Sequence, residues 1–360
     1  MARQYDPALV ALLREKQVTK QESGVPTLIK PVPDDARPHV LDPRVLEIAK
    51  QKKKLHEKIT FAPKYSLWAQ RYRPDKINYD LTQHEIYQSE TLIPIQNDHY
   101  IDAFFYEADL KAQNRAVIIF LHGGGFTAGD HTLYENAMKL IAEQSGALVV
   151  FPEYRLAPET PFPGGLTDAW GTIRWVCEHA AELRISSDKI MVAGDSAGGN
   201  LAAGCGILDD ENIIRSLFLL YPAVDSTPLD KLSAYSWSYD LYPVVEEHRE
   251  YAINRIDRIK NSGGFEQYYL QGRTGYRDPL VSAVYYDNLK KFPHTVIASA
   301  EYDFLRVSSD YFAALLLQNG VDVTNMHYQG CDHGFLDCLG IVPQAEEVAL
   351  SIAEEAKKLG

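Results

Sequence analysis

Hydrophobic residues from position 115 onward fall into short continuous runs that alternate with longer amphipathic segments. The runs are typical of buried strands and lie near 115–121, 146–151, 189–194, 216–221, 294–300 and 322–329. Segments with helical spacing lie between and after them, near 132–145, 166–183, 197–208, 305–319 and 343–358. This alternation predicts an α/β fold with a mostly parallel sheet, helices on both faces and right-handed crossovers.

The residues before position 115 carry a different pattern. Asp6-Pro7 and Asp42-Pro43 each resemble a helix N-cap followed by proline at the first helical position, so two helices are expected. Four prolines between them predict an irregular connector: Pro26, Pro31, Pro33 and Pro38. Further on, strand-like runs at 85–94 and 99–107 flank a turn signal, Gln96-Asn-Asp-His99, which predicts a hairpin.

The spacing of the predicted strands also suggests an insertion. About 70 residues separate the run ending at Tyr221 from the run starting at His294, whereas a crossover needs only a dozen or so. We therefore expect three parts: an N-terminal helical segment at 1–84 that contributes to a cap, an α/β core at 85–224 and 289–360, and a cap insertion at 225–288.

The insertion is rich in aromatic residues: Tyr235, Trp237, Tyr239, Tyr242, Tyr251, Phe265, Tyr268, Tyr269, Tyr276, Tyr285 and Tyr286. Such side chains can line a ligand pocket. They also pack well against one another. We expect most of them to pack in a small core of the cap and only a few to face a ligand.

Candidate chemistry lies at the ends of two predicted strands. Gly194-Asp-Ser-Ala-Gly198 has the Gly-x-Ser-x-Gly pattern of a strand-to-helix turn that exposes a nucleophilic serine, here Ser196. His122-Gly-Gly-Gly125 follows another strand. Glycine lets the main chain approach a substrate closely. The backbone N–H groups of Gly124, Gly125 and Ala197 are therefore candidate donors to an oxyanion.

A serine hydroxyl needs a base, and the base needs an orienting acid. Asp303 follows the run 294–300, at the sheet edge where open α/β folds place their sites, and Glu301 is its rival. His333 lies in the loop after the last strand and is the candidate base.

We expect three further residues to have structural roles and not to act as the base or the acid. His327 lies within the last strand and is expected to pack, and His122 is expected to hold the shape of the glycine loop. Asp332 is expected to point away from His333 and to form the loop.

Composition narrows the class of protein. The 360 residues are 46% hydrophobic and 24% charged, with a net charge of −13. Such acidity disfavours nucleic acid and anionic membranes and suits a neutral small molecule. The N-terminus has no apolar signal core and no run of 18 apolar residues occurs, so a cytoplasmic location is expected.

Cofactors are not expected either. The sequence has no Walker loop or His-Glu-x-x-His motif, so neither a cofactor nor a metal is predicted. Cysteine spacing fits no metal or redox motif. Cys177 and Cys205 are expected to be buried thiols, while Cys331 has a reactive-thiol alternative because it lies two residues from His333.

Over roughly residues 85–355 the chain resembles the hormone-sensitive-lipase family of α/β-hydrolases, the branch of bacterial acetyl esterases and carboxylesterases. The motifs that carry the resemblance are His122-Gly-Gly-Gly-Phe126, Tyr154-Arg-Leu-Ala-Pro-Glu159, Gly194-Asp-Ser-Ala-Gly-Gly-Asn200, Tyr221-Pro222 and His333-Gly-Phe335. The resemblance implies an α/β-hydrolase fold with an eight-stranded sheet and a helical cap.

The same resemblance implies roles for individual residues. It makes Ser196 the nucleophile, Asp303 the orienting acid and His333 the base, and it gives Tyr154–Glu159 a bracing role. Relatives often pair through the last strand, which makes a homodimer an expectation. The chain departs from the family pattern at two positions: Phe304 replaces a proline after the acid, and Val307 replaces a second acid.

Together these features predict a serine carboxylesterase that hydrolyses short-chain acyl esters through an acyl-enzyme. Two alternatives remain open. One is a ligand-binding protein on an inactive hydrolase scaffold, and the other is amide or peptide hydrolysis by the same triad.

Overall fold

The computed structural model describes residues 3–56, 66–73, 76–95, 99–229 and 234–360. In these ranges the strands are β1 (Val18–Glu22), β2 (Val25–Lys30), β3 (Tyr87–Ile95), β4 (His99–Glu107), β5 (Arg115–Leu121), β6 (Leu148–Pro152), β7 (Ile185–Asp195), β8 (Ile214–Leu220), β9 (His294–Tyr302) and β10 (Val323–Asp332). The α-helices are α1 (Ala8–Glu15), α2 (Pro43–His56), α3 (Leu67–Arg71), α4 (His131–Ser145), α5 (Gly164–Glu178), α6 (Ala197–Leu208), α7 (Glu246–Lys260), α8 (Arg306–Gln318) and α9 (Pro343–Lys357).

The strands form one sheet in the order β1-β2-β10-β9-β8-β7-β5-β6-β4-β3. Neighbours from β2 to β6 in this order run parallel, while β1, β4 and β3 run antiparallel to their neighbours. The predicted α/β class and mostly parallel sheet are confirmed. The expected strand number of eight is too low, because the described chain contributes ten.

The two unexpected strands lie in the N-terminal segment. Residues 18–22 and 25–30 form the antiparallel pair β1–β2 where a proline-rich connector was expected. Pro26 is accommodated because pairing of β2 with β10 begins only at Thr27, opposite Asn325. The segment before residue 85 is therefore not purely helical. Its predicted helices after Asp6 and Asp42 are present, and each aspartate accepts a backbone N–H two residues on.

Both faces of the sheet are buried, as the continuous apolar runs predict. Along β5, alternate residues enter different cores: Val117, Ile119 and Leu121 pack with α5, α6 and α8 on one face. Ala116, Ile118 and Phe120 pack with α4 and α9 on the other. The sheet is thus a middle layer between two layers of helices, and its carboxyl edge is where the loops that follow β5, β7, β9 and β10 meet.

The hairpin expected at 85–107 is also present. Strands β3 and β4 pair antiparallel with Ile95 opposite His99, while residues 96–98 of the turn signal lie outside the described residues. The long connection after β8 contains α7, which packs against α2 of the N-terminal segment and against β9 and β10. No helix in the described part of the chain combines the length and apolarity needed to cross a membrane.

Residues 225–288 lie between β8 and β9, and we call them the insertion. Most of their aromatic side chains are packed, as expected, but not in a core of their own. Tyr242 and Tyr269 are buried, and they belong to the two clusters that cover the sheet. Partly buried aromatics of the insertion pack against the same clusters: Trp237, Tyr239, Tyr251, Phe265, Tyr276, Tyr285 and Tyr286. The insertion is therefore fixed to the α/β core by its rings.

Candidate active site

Ser196 occupies the sharp turn between β7, which ends at Asp195, and α6, which begins at Ala197. Its backbone has φ +55° and ψ −114°, an unfavourable conformation for a residue with a Cβ atom. The turn also runs very close to the end of β5. A Cβ atom on Gly198 would lie 1.9 Å from the carbonyl oxygen of Leu121, so only glycine fits there. The two motif glycines thus allow a tight turn that leaves Ser196 half-buried.

Three of the candidate residues form a continuous hydrogen-bonded chain. The Oδ2 atom of Asp303 lies 2.7 Å from Nδ1 of His333, and Nε2 of His333 lies 2.9 Å from Oγ of Ser196. Because a carboxylate can only accept, Nδ1 carries the ring proton, and Nε2 is left to accept the serine hydroxyl. Asp303 is fully buried, and its other oxygen accepts the N–H of Leu305 at 2.9 Å.

The rival acid, Glu301, faces a different partner. Its Oε2 atom accepts the backbone N–H of Gly330 at 2.8 Å, and its Oε1 atom lies 3.5 Å from the ring of His39. Glu301 therefore connects the end of β9 to the loop after β10 and to the N-terminal segment. The structure brings Asp303, and not Glu301, to the ring of His333.

His327 and His122, the other two histidines interpreted from the sequence, each have their own contacts inside the protein. His327 is buried in β10 with Nε2 at 2.6 Å from the carboxylate of Asp310, in agreement with the packing interpretation. His122 is fully buried, and its ring stacks on Tyr154 at 4.2 Å between centroids. Burial lowers the pKa of His122, so the ring stays neutral.

The glycine loop after β5 is held by bonds to its carbonyl groups. Nδ1 of His122 donates to the oxygen of Gly123 at 2.7 Å, and the oxygen of Gly124 accepts the N–H groups of Thr127 and Ala128 at 3.2 and 3.1 Å. The N–H and C=O of a trans peptide point in opposite directions. The N–H groups of Gly124 and Gly125 therefore point out of the loop, where both residues are exposed.

The third candidate donor lies on the neighbouring strand connection. Ala197 is the first residue of α6, and the first N–H groups of a helix have no acceptor within the helix. Strands β5 and β7 are hydrogen-bonded neighbours, so the glycine loop and the Ser196 turn follow adjacent strand ends. All three candidate donors consequently lie at the same sheet edge as Ser196.

A polar contact behind the glycine loop was not expected from the sequence. Oδ1 of Asp195 accepts the N–H of Gly123 at 2.6 Å, and the hydroxyl of Tyr134 donates to Oδ2 at 3.1 Å. Burial raises the pKa of Asp195 to about 7. The only signal in the sequence is the acid at the variable position of Gly-x-Ser-x-Gly, which does not by itself reveal a partner 72 residues away.

The Tyr154–Glu159 stretch braces the glycine loop, as the family resemblance implies. The hydroxyl of Tyr154 donates to the carbonyl oxygen of His122 at 2.6 Å, and the N–H of Ala157 donates to that of Phe126 at 2.9 Å. Arg71 of α3 adds a contact that the sequence did not predict. It donates to the carbonyl oxygens of Thr127 and Ala157 at 2.8 and 3.0 Å.

The residue beside the candidate base has a partner in the insertion. Asp332 is buried and forms an ion pair with Arg255 of α7, so it points away from His333 as expected. One turn later on α7, Arg258 donates to the carbonyl oxygen of His333 at 3.0 Å. Sequence reasoning missed both arginines, because nothing local links α7 to a loop more than 70 residues later.

Phe304 and Val307, the two residues that depart from the family pattern, both pack in apolar surroundings. Phe304 packs its ring 5.4 Å from that of Trp237 in the insertion, and its carbonyl oxygen accepts the hydroxyl of Tyr242 at 3.3 Å. Val307 packs against the same apolar cluster. The loop that carries Asp303 is thus held by a ring contact and a hydrogen bond from the insertion.

Cys331 does not fit the reactive-thiol alternative. Its side chain is fully buried, and burial raises the pKa of the thiol well above its ordinary value. A thiol in this setting stays protonated, whereas the nucleophilic form is the thiolate. Among the described residues, no three His, Cys, Asp or Glu side chains are grouped in a way that would hold a metal ion.

Comparison with known proteins identifies the class. A family model described as alpha/beta hydrolase fold matches residues 118–337, and the chain belongs to this family. The esterase LipI of Mycobacterium tuberculosis is 33% identical over 236 residues, which cover 64% of this chain and 69% of that protein. Hormone-sensitive lipase of Bos taurus is 36% identical over 118 residues, covering 31% of this chain and 15% of that protein. The resemblance to the hormone-sensitive-lipase family is thereby confirmed.

Solved structures agree with this assignment. An esterase from Pyrobaculum calidifontis superposes with a TM-score of 0.70 at 27% identity and covers 89% of this chain and 98% of its own. The likeness extends well beyond residues 118–337, so the α/β-hydrolase architecture accounts for most of the chain.

Proposed function

We propose that this protein is a carboxylic-ester hydrolase with Ser196 as nucleophile, His333 as general base and Asp303 as the acid that orients the base. The observation that carries the proposal is the chain of hydrogen bonds from Asp303 Oδ2 through both ring nitrogens of His333 to Ser196 Oγ, at 2.7 and 2.9 Å. Esterases among its relatives and structural neighbours support the same reaction.

In the acylation step, Nε2 of His333 takes the hydroxyl proton as Oγ of Ser196 forms a bond to the ester carbonyl carbon. The carbonyl electron pair moves to oxygen and gives a tetrahedral oxyanion. When this species collapses, the bond to the leaving alkoxide breaks, and the imidazolium of His333 donates its proton to the departing alcohol. Asp303 stabilises the imidazolium throughout and holds the ring with Nε2 facing the serine.

The oxyanion would be bound by the backbone N–H groups of Gly124, Gly125 and Ala197. The directions of the first two are supported by the opposite carbonyl groups, which are bound within the loop. Each such donor typically lowers the barrier by ~2.7–4 kcal/mol. Deacylation repeats the steps with water, which His333 deprotonates, and releases the carboxylic acid and free Ser196.

The substrates we propose are small neutral esters with short acyl chains. The N-terminal segment and the insertion together would form a cap, since α2 packs against α7 and Tyr269 stacks on Phe126 of the glycine loop at 3.8 Å between ring centroids. A site enclosed in this way favours short acyl groups over long triglyceride chains. The rings that hold the insertion in place would limit how far the cap can open.

The first test is hydrolysis of p-nitrophenyl acetate, butyrate and octanoate by the wild type and by Ser196→Ala. We expect turnover of the shorter esters by the wild type and a loss of ~10⁶-fold in kcat for the variant. Equal activity in both proteins would exclude Ser196 as nucleophile. Faster turnover of a matched anilide than of the ester would replace the esterase assignment with an amidase, and binding without turnover would favour an inactive scaffold.

A further inference from the structure

Two arginines on α7 bind two consecutive residues of the loop that carries His333. Arg255 forms an ion pair with the carboxylate of Asp332, and Arg258 donates to the carbonyl oxygen of His333 at 3.0 Å. Residues three apart on a helix project from the same face. One face of α7 therefore contacts both the side chain before the candidate base and the backbone of the base itself.

The ion pair is well placed to fix the loop. The side chains of Arg255 and Asp332 are only 13% and 8% exposed. Burial alone would raise the pKa of Asp332, yet the charges of Arg255 and Arg258 hold it below its ordinary value, so the carboxylate stays ionised. A buried ion pair holds its partners in one geometry, because separating them leaves an uncompensated charge.

The opposite side of His333 is held by the catalytic core. Its ring is bound by Asp303, which follows β9, and it lies 4.8 Å from the ring of Tyr221 between centroids. The core thus orients the imidazole, but the main chain that carries it is bound by α7 of the insertion. A small shift of that main chain would change the distance from Nε2 to Ser196 Oγ, on which proton transfer depends.

We propose that Arg255 and Arg258 are positioning residues for His333, so that the insertion contributes to catalysis as well as to covering the site. This inference rests on the proposed function. It predicts that α7 affects the rate of the chemical step more than the binding of the ester. Neither arginine needs to touch the substrate for this effect.

Arg258→Gln is the main test, with Arg249→Gln as the matched control, since Arg249 is an exposed arginine on the same helix. With p-nitrophenyl butyrate we expect kcat of Arg258→Gln to fall by roughly tenfold, part of the ~100-fold that a 1 Å displacement can cost, with little change in KM. Arg258→Lys keeps a cationic donor and should recover part of kcat. Arg249→Gln should retain the wild-type values.

The ion pair is tested by Arg255→Gln combined with Asp332→Asn, which removes both charges of the pair together. We expect a lower kcat and slower labelling of Ser196 by diethyl p-nitrophenyl phosphate, at a melting temperature that shows a folded protein. In proton NMR spectra, the downfield resonance of the His333 Nδ1 proton should broaden or move in this variant and in Arg258→Gln.

The outcomes separate this inference from the proposed function. If the wild type hydrolyses esters through Ser196 but Arg258→Gln and the double variant match Arg249→Gln in kcat, labelling rate and NMR spectrum, the positioning role is wrong and the esterase assignment stands. A large rise in KM with unchanged kcat would instead make these arginines binding residues and would also overturn the inference. If the wild type shows no ester hydrolysis that depends on Ser196, the proposed function itself is wrong.

Discussion

Asp195 accepts the backbone N–H of Gly123 at 2.6 Å, so the residue before the candidate nucleophile is bound to the first glycine of the loop that carries two candidate oxyanion donors. The contact joins the ends of β7 and β5 behind the site. Tyr134 of α4 completes it through its hydroxyl group. The relative position of Ser196 and the glycine loop is thus set by one buried carboxyl group.

The buried carboxyl group should make stability depend on pH. Burial raises the pKa of Asp195 from 3.8 to about 7, so between these values the folded protein binds more protons at this site than the unfolded chain. The stabilisation that comes from protonated Asp195 is complete below the pKa of this residue in the unfolded chain. It is lost as the pH rises towards 7. Since a tenfold change in an acid constant is worth ~1.4 kcal/mol, the loss amounts to roughly a few kcal/mol.

Asp195→Asn removes this titration while keeping an acceptor for Gly123. As the pH rises from 4 to 7, we expect the unfolding free energy of the wild type to fall relative to that of Asp195→Asn. Urea unfolding of both proteins across this range measures the difference. A difference that stays constant with pH would show that Asp195 has an ordinary pKa in the folded protein.

Replacement of Asp303, the proposed orienting acid, should reduce the rate sharply. In Asp303→Asn the amide can donate to Nδ1 of His333, which favours the tautomer with the proton on Nε2, and that nitrogen can then no longer accept the serine hydroxyl. We expect kcat to fall by ~10⁴-fold, with KM nearly unchanged. Steady-state kinetics with p-nitrophenyl butyrate provide the measurement. Glu301→Gln is the control, because Glu301 binds the N–H of Gly330, and a comparable loss there would reassign the acid.

The nucleophile turn should not tolerate a side chain at Gly198. A Cβ atom there would lie 1.9 Å from the oxygen of Leu121, a backbone atom that can move only with β5. We expect Gly198→Ala to cost at least the ~1–3 kcal/mol typical of overpacking and to lower kcat as well. Calorimetric melting can compare it with Gly275→Ala, a position where a Cβ atom meets nothing within 4 Å. Equal melting temperatures would show that the turn can relax.

A buried ion pair should stabilise the N-terminal hairpin. Nζ of Lys30 in β2 lies 2.8 Å from Glu347 of α9, with side chains 5% and 0% exposed. Lys30→Met leaves Arg14, at 3.2 Å, as a positive partner of the Glu347 carboxylate. Because the charge stays partly compensated, we expect a loss of ~1–3 kcal/mol of unfolding free energy. Urea unfolding is the measurement, and Lys20→Met in the exposed strand β1 should have little effect. If both variants lose the same amount, the pair is not the cause.

Much of the site was predictable from the sequence because its chemistry depends on local patterns. The glycines around Ser196 and after His122 are required by turns that a side chain would block, and the order of Ser196, Asp303 and His333 follows the order of the strand ends. Both features can be recognised in a single sequence. The alternation of apolar runs and helices located the parallel part of the sheet within a few residues.

The remaining features depend on contacts between distant segments. Strand β1 is polar and β2 contains a proline, so neither has the apolar run that marks strands β5 to β9. Strand β2 joins the sheet by pairing with β10, and β1 joins it by pairing with β2. The bond between Asp195 and Gly123 joins residues 72 apart, and that between Arg255 and Asp332 joins residues 77 apart. Neither pair has a sequence spacing that would have indicated it.

The position of β2 also decides where this protein can associate through its sheet. Strand β10 has β9 on one side and β2 on the other, so its backbone groups are already paired within the chain over residues 325–328. A second copy that joined there would first have to displace the hairpin. At this end of the sheet the edge strand is instead β1, whose side chains include Lys20 and Glu22. Charged residues on an outer strand oppose the addition of another chain. The β1–β2 hairpin therefore opposes the addition of a further strand at this end of the sheet.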